Sequence, residues 1–463
     1  MTQRRIQAER SAGTRFRLFP QFDEGLAAEI VEVSSPPGSL EAGPANARMY
    51  VANAVAKDRP YAPPDFVPPY AGALHPPAVA GSDGHFDQIP QASPQFHAAH
   101  LFGTVHLVLD IFETALGERV VWWHPGAPAR VELIPAVRWR NAQSGPGFLE
   151  TGFWPDDCGQ WQPFSLNFDV IAHEVGHEIL FGRLGVPADG SIDAPFLAFH
   201  ECFGDMVALL GALHFASVRR RLLQQTWGNL YVLNLVNRLA ETAPHQQIRL
   251  ASNTVTMADV AGLRLLPDGT WFDPLGLGRN AHHLSMPLLG AMFDVLVEVY
   301  QQELAMRQVI PPAADARSWS RRAAAQALGR VAAGHARAMR RFAAGFEQAL
   351  VAARDAVLGA LLHAIRTLTA AEIAFGRVAA RVLEAMAHDH AAIWTRLLEC
   401  FLDRGIDPRP HLAAAPLYGN QLVRPSRRGA VLLETLPCPA CPCRDSRLRA
   451  DMRHLMPHLH RAA

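Results

Sequence analysis

The residues best equipped for chemistry are His173, Glu174 and His177, inside the stretch Phe168-Asp169-Val170-Ile171-Ala172-His173-Glu174-Val175-Gly176-His177. Their neighbours are apolar and compatible with a helix. On an α-helix, positions i and i+4 differ by about 40° of rotation and roughly 6 Å of rise, so both imidazoles leave from one face. That face can hold one metal ion between them. Zinc suits the pair, because neutral imidazole is a preferred zinc ligand and a catalytic zinc takes three protein ligands plus a water. Glu174, next to the first histidine, can take a proton from that water without displacing it, which is the work of a general base.

A third ligand is needed, and residues 197–210, LAFHECFGDMVALL, offer one in what also reads as a mostly buried helix. Glu201 and Asp205 are again i and i+4, so two carboxylates share a face of an otherwise apolar segment. Burying an acid is costly unless something pairs with it. Glu201 as the third zinc ligand, with Asp205 accepting the N–H of a ligating imidazole, gives both acids a reason. His200 is adjacent to Glu201 and therefore points elsewhere, near the metal but not onto it.

His-Glu-x-x-His followed by Glu-x-x-x-Asp, with Glu201 24 positions after His177, resembles the thermolysin-like zinc metallopeptidases, the gluzincin type. The resemblance covers about residues 96–405. It implies an α+β fold of two lobes, β-rich toward the N-terminus and α-helical toward the C-terminus. It implies zinc on His173, His177 and Glu201, Glu174 as catalytic base, and Asp205 orienting a ligand histidine. Asn141-Ala142 matches the pair that ends an edge strand in that family and aligns a peptide substrate through backbone hydrogen bonds. Asn280-Ala281-His282-His283-Leu284-Ser285 matches its His-x-x-Ser, which makes His282 the donor to the oxyanion, with His283 the near alternative. Such a donor is worth about 2.7–4 kcal/mol in related chemistry. The family's oxyanion tyrosine has no counterpart, since residues 180–195 contain none.

The elements that must position these residues follow from periodicity and punctuation. Residues 14–33 read as a short β-like start. Residues 51–94 hold nine prolines, Pro60 to Pro94, a density that forbids long helices and central strands and predicts an extended segment laid over the body; a propeptide is the functional alternative. Leu101, Val105, Val108, Leu109, Phe112 and Leu116 recur at helical spacing and end at Gly117, predicting an amphipathic helix packed on a sheet. Residues 120–123 and 130–139 read as strands, and 219–242 as a helix. Ser285 with Pro287 predicts a helix start just after the two histidines. From 318 to 404 the chain is alanine-rich, with about four helices broken near Gly345, residues 367–370 and residues 388–390. The domain reading is 1–94 as a Pro-rich extension, 95–192 as the β-rich part ending in the first zinc helix, 193–408 as the helical part, and 409–463 as a Cys/His tail.

Composition narrows the function classes. The 463 residues, 49% hydrophobic, can build extensive cores, and 43 basic side chains balance 43 acidic ones, so no net charge calls for nucleic acid or an anionic surface. No run approaches 18 uninterrupted apolar residues, which predicts no membrane span. The first 20 residues carry charge without an apolar core, so no secretory signal is expected and the cytoplasm is the expected compartment. Six cysteines are too sparse for a disulfide framework; Cys438, Cys441 and Cys443, with nearby histidines, could bind a second zinc or form a redox-sensitive tail. The expected partner is a peptide or protein substrate. A non-proteolytic interaction protein stabilised by zinc, and a zinc hydrolase acting on non-peptide amides, use the same residues and stay open.

Overall fold

Ser93 followed by Pro94 is a helix start in sequence. In the computed structural model the Ser93 side chain accepts the Phe96 N–H at the head of α1, Pro94–Leu116, and Gly117 closes it in the left-handed region at φ 69°. The model describes residues 13–20, 27–122, 130–155, 161–187, 192–230, 238–241, 247–311 and 321–412, with the backbone alone at 154–155, 161–162, 238–241, 247–249 and 321–331. The expected apolar stripe of α1, Leu101 to Leu116, is buried. The fold is a mixture of helices and a small sheet, and the chain divides into two compact units, one running to Gly182 and the other from Arg183 on, apart from a short stretch in the 240s.

In the first unit, β1 (Thr14–Leu18) and β2 (Glu29–Val33) form an antiparallel pair against α1. Gly103 allows the close approach, since a Cβ there would lie 2.8 Å from the Phe16 ring. A five-stranded sheet follows the order β3 (Met49–Val51), β4 (Val131–Val137), β6 (Phe148–Pro155), β5 (Ala142–Gly145), with β7 (Trp161–Pro163) also paired to β6. β3, β4 and β6 run parallel, while β5 and β7 are antiparallel to β6. β3 comes from the chain preceding α1, so part of the N-terminal extension is a strand of this sheet. The strand expected at 120–123 is absent from its described part; there the Arg48 guanidinium donates to the Val120 carbonyl and the Trp122 indole N–H donates to the Arg48 carbonyl. Position 123 lies outside the described residues.

The proline-rich segment is fastened to the sheet by a buried polar network. Glu132 on β4 and Glu150 on β6 are 1% and 0% exposed, and Lys57, also 1% exposed, is ion-paired to Glu150. Glu150 also accepts from the Tyr61 N–H at 2.7 Å and the Gln143 amide at 2.6 Å, and Glu132 from the Tyr61 hydroxyl at 2.6 Å and the Tyr50 hydroxyl at 3.0 Å. Burial pushes the Lys57 ammonium down and the Glu150 carboxyl up, so only their mutual attraction and these donors hold the charges. Tyr61 stands in the apolar cluster of Ala52, Ala54, Ile134, Val137 and Phe148 beside them.

The second unit is helical: α3 (Ala194–Ala212), α4 (Ala216–Thr226), α5 (Ala281–Met306), α6 (Arg321–Thr367), α7 (Phe375–Met386) and α8 (Trp394–Leu402). Two-stranded pairs lie between α4 and α5: β8 (Arg238–Glu241) with β9 (Gln247–Leu250), and β10 (Arg264–Leu265) with β11 (Trp271–Phe272). The helix expected over 219–242 ends at Thr226. Trp227 and Gly228 both take positive φ, 52° and 71°, and Gly228 presses so close to the Phe346 ring that a Cβ would lie 2.3 Å from it. In the Ala-rich region the break expected near Gly345 is at Phe342, where φ −131° and ψ 37° divide α6; its halves with α7 and α8 make four helical stretches.

Among the described residues three helical segments, Pro94–Leu116, Ala281–Met306 and Ala332–Thr367, are long and apolar enough to cross a membrane by length and composition, or four if the bent pair Ala194–Ala212 and Ala216–Thr226 is taken as one. Their most apolar windows are 67%, 78% and 61% buried inside the protein. Cys202 and Cys400 are buried free thiols, while Cys158 and the tail cysteines lie outside the described residues.

Two measurements check this account. Lys57→Met leaves Glu150 buried without its counter-charge and is expected to lower unfolding stability by about 3–5 kcal/mol in urea titrations; an unchanged midpoint would mean that the pair does not hold the segment. His100 is completely buried, its Nε2 accepts the Phe19 N–H at 2.9 Å, and burial lowers its pKa from 6.5 to about 3. The folded state thus keeps the ring neutral while the unfolded chain protonates, so this contribution is whole above pH 6.5 and is lost as pH falls toward about 3. His100→Gln should flatten the stability slope over that window, measured as denaturation midpoint against pH.

Candidate metal centre

The helix that carries the first two histidines is set by its neighbours in sequence. Asn167 is extended, and its side-chain oxygen accepts the Val170 N–H at 3.2 Å, capping α2 (Phe168–Leu184). Asp169 in the first turn complements the positive end of the helix dipole, and Gly185 follows the last residue at φ 64°. His173 and Glu174 are buried and His177 is half-buried. As the i,i+4 spacing requires, the rings of His173 and His177 lie 4.7 Å apart, centroid to centroid, with planes at 89°.

α3 has a similarly local cause. The Asp193 side chain accepts the Phe196 N–H at 2.9 Å, Pro195 occupies the first turn, and the helix is buried from Phe196 to Ala212. Glu201 and Asp205, 2% and 1% exposed, are one turn apart within it. His173, His177 and Glu201 each offer a ligand atom, and these atoms lie within 4.8 Å of one another. Two imidazoles and one carboxylate are a donor set that zinc accepts, so the residues fit the ion. Among the described residues no other group of three such side chains comes together in this way.

His282 lies within reach of the same carboxylate. Its Nδ1 is 2.5 Å from Glu201 Oε2, at a place where both side chains are buried. The helix start differs from the expected one: Asn280, not Ser285, caps α5, and both histidines fall in its first turn instead of ahead of it. The Asn280 side chain accepts the His282 N–H at 3.1 Å, and His283 Nδ1 accepts the Asn280 N–H at 3.2 Å. Ser285, inside the helix, donates to the His282 carbonyl at 2.7 Å. The two histidines are therefore distinguishable: His283 belongs to the capping box, and His282 faces Glu201. A neutral imidazole carries one N–H, so both His282 nitrogens donate only in the imidazolium.

Of the remaining sequence candidates, His200 is buried with its ring 4.6 Å from that of Phe196, outside the ligand group. Asn141 and Ala142 do not end the preceding strand; Ala142 opens β5, at the edge of the sheet, and the Asn141 carbonyl accepts the Gly152 N–H at 2.8 Å. Periodicity reasoning missed Lys57, Glu132 and Glu150, whose signal was present as acids set into apolar strands, VELIPAV and FLETGF. It also missed the Asn280 cap, legible as an asparagine directly before the helical run.

No protein-family model and no curated protein matches the chain. Among solved structures it is similar to a precursor of protealysin, described as a metalloproteinase from Serratia proteamaculans, at 12% identity over 80% of this chain and 89% of that one, with a TM-score of 0.39. A likeness of that degree leaves the chemistry to the residues themselves.

If His282 steadies the Glu201 carboxylate, His282→Ala should weaken zinc binding by about 10–100-fold while leaving one ion per chain at saturation, read by competition with a chelating dye. Unchanged affinity would separate His282 from the ligand.

Proposed function

We propose that this chain is a zinc-dependent endopeptidase of the thermolysin-like, two-lobed kind. The observation that carries the proposal is the approach of His173, His177 and Glu201 ligand atoms to within 4.8 Å, from two sequence segments that contain the motifs for it. Bound there, zinc would supply a Lewis acid that acidifies a water and polarises the scissile carbonyl. Glu174 adjoins the first ligand, so its carboxylate takes the proton of the attacking water and passes it to the leaving amine. Asp205, one turn beyond Glu201, serves the ligating imidazoles as hydrogen-bond acceptor. His282, already against Glu201, is the ring placed to donate to the developing oxyanion. Asn141 and Ala142, at the start of an edge strand, offer backbone groups to an extended peptide.

A second reading keeps the metal for stability in an interaction protein without proteolysis. It is favoured by the lack of a tyrosine between the two ligand-bearing helices, where the resembling family has its oxyanion donor. Casein or a peptide library distinguishes the two. Hydrolysis that a chelator abolishes and zinc restores, and that falls by about 10²–10⁴-fold in Glu174→Gln with zinc content unchanged, is the expected result. Stoichiometric zinc without any hydrolysis would leave the stabilising role instead, and absence of zinc would remove both.

A further inference from the structure

A second constellation of reactive groups lies in the first unit, on residues the metal centre does not use. Ser34 and Ser35 form the turn after β2, and His106 and Asp110 stand one turn apart on α1. Ser35 Oγ is 2.7 Å from His106 Nε2. On the other side of the ring, His106 Nδ1 is 3.2 Å from Asp110 Oδ2, an ion-pair approach that is off the line of a straight hydrogen bond. Asp110 is itself held: its two oxygens accept the Ser34 N–H at 2.7 Å and the Ser34 hydroxyl at 2.6 Å. The backbone at Ser35 is equally fixed, because Thr14 donates both its N–H and its hydroxyl to the Ser35 carbonyl, each at 2.8 Å. His106 and Asp110 side chains are 10% and 20% exposed, while Ser35 is half-buried and within reach of solvent.

We propose that Ser35, His106 and Asp110 form a second, metal-independent acyl-transfer site in which Ser35 is the nucleophile, His106 the general base and Asp110 the positioning carboxylate. The order hydroxyl, Nε2, Nδ1, carboxylate is the arrangement that lets an imidazole take a hydroxyl proton while its cation stays next to a negative charge. Burial lifts the Asp110 carboxyl, but the imidazole and the Ser34 donors override it and hold the group below the usual range, so the charge is present to meet the imidazolium.

The same turn sets the substrate class. Pro36 and Pro37 have no N–H, the Gly38 N–H is committed to the Gly84 carbonyl at 3.1 Å, and the Ser34 N–H to Asp110. Few donors remain to steady an oxyanion, which suits activated esters with good leaving groups and disfavours amides. In the first step the Ser35 Oγ–carbonyl bond forms, the hydroxyl proton passes to His106 Nε2, and the leaving alcohol departs with that proton. Water then cleaves the acyl-serine in the reverse sense, restoring the hydroxyl and releasing the acid.

The test uses the full chain with a fluorophosphonate, which joins phosphorus to the serine oxygen and expels fluoride, and p-nitrophenyl acetate as ester. We expect one label per chain, mapped to Ser35, unaffected by a chelator and absent in Ser35→Ala. His106→Gln should slow labelling by at least about 100-fold. Asp110→Asn should lower kcat for the ester with KM near the parent's, and its melting temperature, taken alongside that of His106→Gln, shows whether each variant stays folded. Absence of label at Ser35, equal labelling rates in the folded variants, or loss of labelling on chelation would each overturn the proposal. Because labelling is read with the metal removed, its outcome is separate from that of the zinc peptidase reading.

Discussion

A buried carboxylate must be met by opposite charge or by donors, and most of what is distinctive in this chain follows from that constraint. α3 is buried from Phe196 to Ala212, yet it carries Glu201 and Asp205 one turn apart. Hydrophobic burial alone would have put leucine at both positions. The presence of His282 Nδ1 against Glu201, and of two imidazoles with ligand atoms near it, accounts for the first acid in terms of charge. Removing one member of such a set leaves the others desolvated, which makes the set an all-or-none unit.

The first unit obeys the same rule with different partners. Glu132 and Glu150 sit on adjacent parallel strands, and the chain answers them with Lys57, three tyrosines and Gln143. The segment that supplies Lys57, Tyr61 and Tyr70 is too rich in proline to build a ladder of its own. Its attachment combines a few backbone bonds, such as Lys57 N–H to the Ala136 carbonyl, with these bonds to the two glutamates. Together with β3 in the sheet, they tie the segment into this unit.

The histidines show how one residue type is put to different uses by its surroundings. His100 is buried and accepts a backbone N–H, so it is held neutral. One turn and a half along the same helix, His106 lies between a hydroxyl and a carboxylate. His283 closes a helix cap, and its neighbour His282 reaches a buried acid. Neighbouring positions on a helix start diverge by about 100°, which is enough to send two adjacent histidines to unrelated tasks.

What the sequence determined by itself was local. The i,i+4 pairing of His173 with His177 and of Glu201 with Asp205, the Ser93 and Gly117 ends of α1, and the four helical stretches of the alanine-rich region depend only on helix geometry and nearby chain, so they were legible without coordinates. Competition between local signals was not. Asn280 and Ser285 are both good caps, and the chain uses the former, in a capping box with His283; the break expected near Gly345 is set at Phe342. The contacts of Lys57 with Glu150 and of Ser35 with His106 span 93 and 71 positions. Such contacts form only when β-strands and a helix from distant parts of the chain pack together, because no periodicity within a segment records which distant side chain will share its burial.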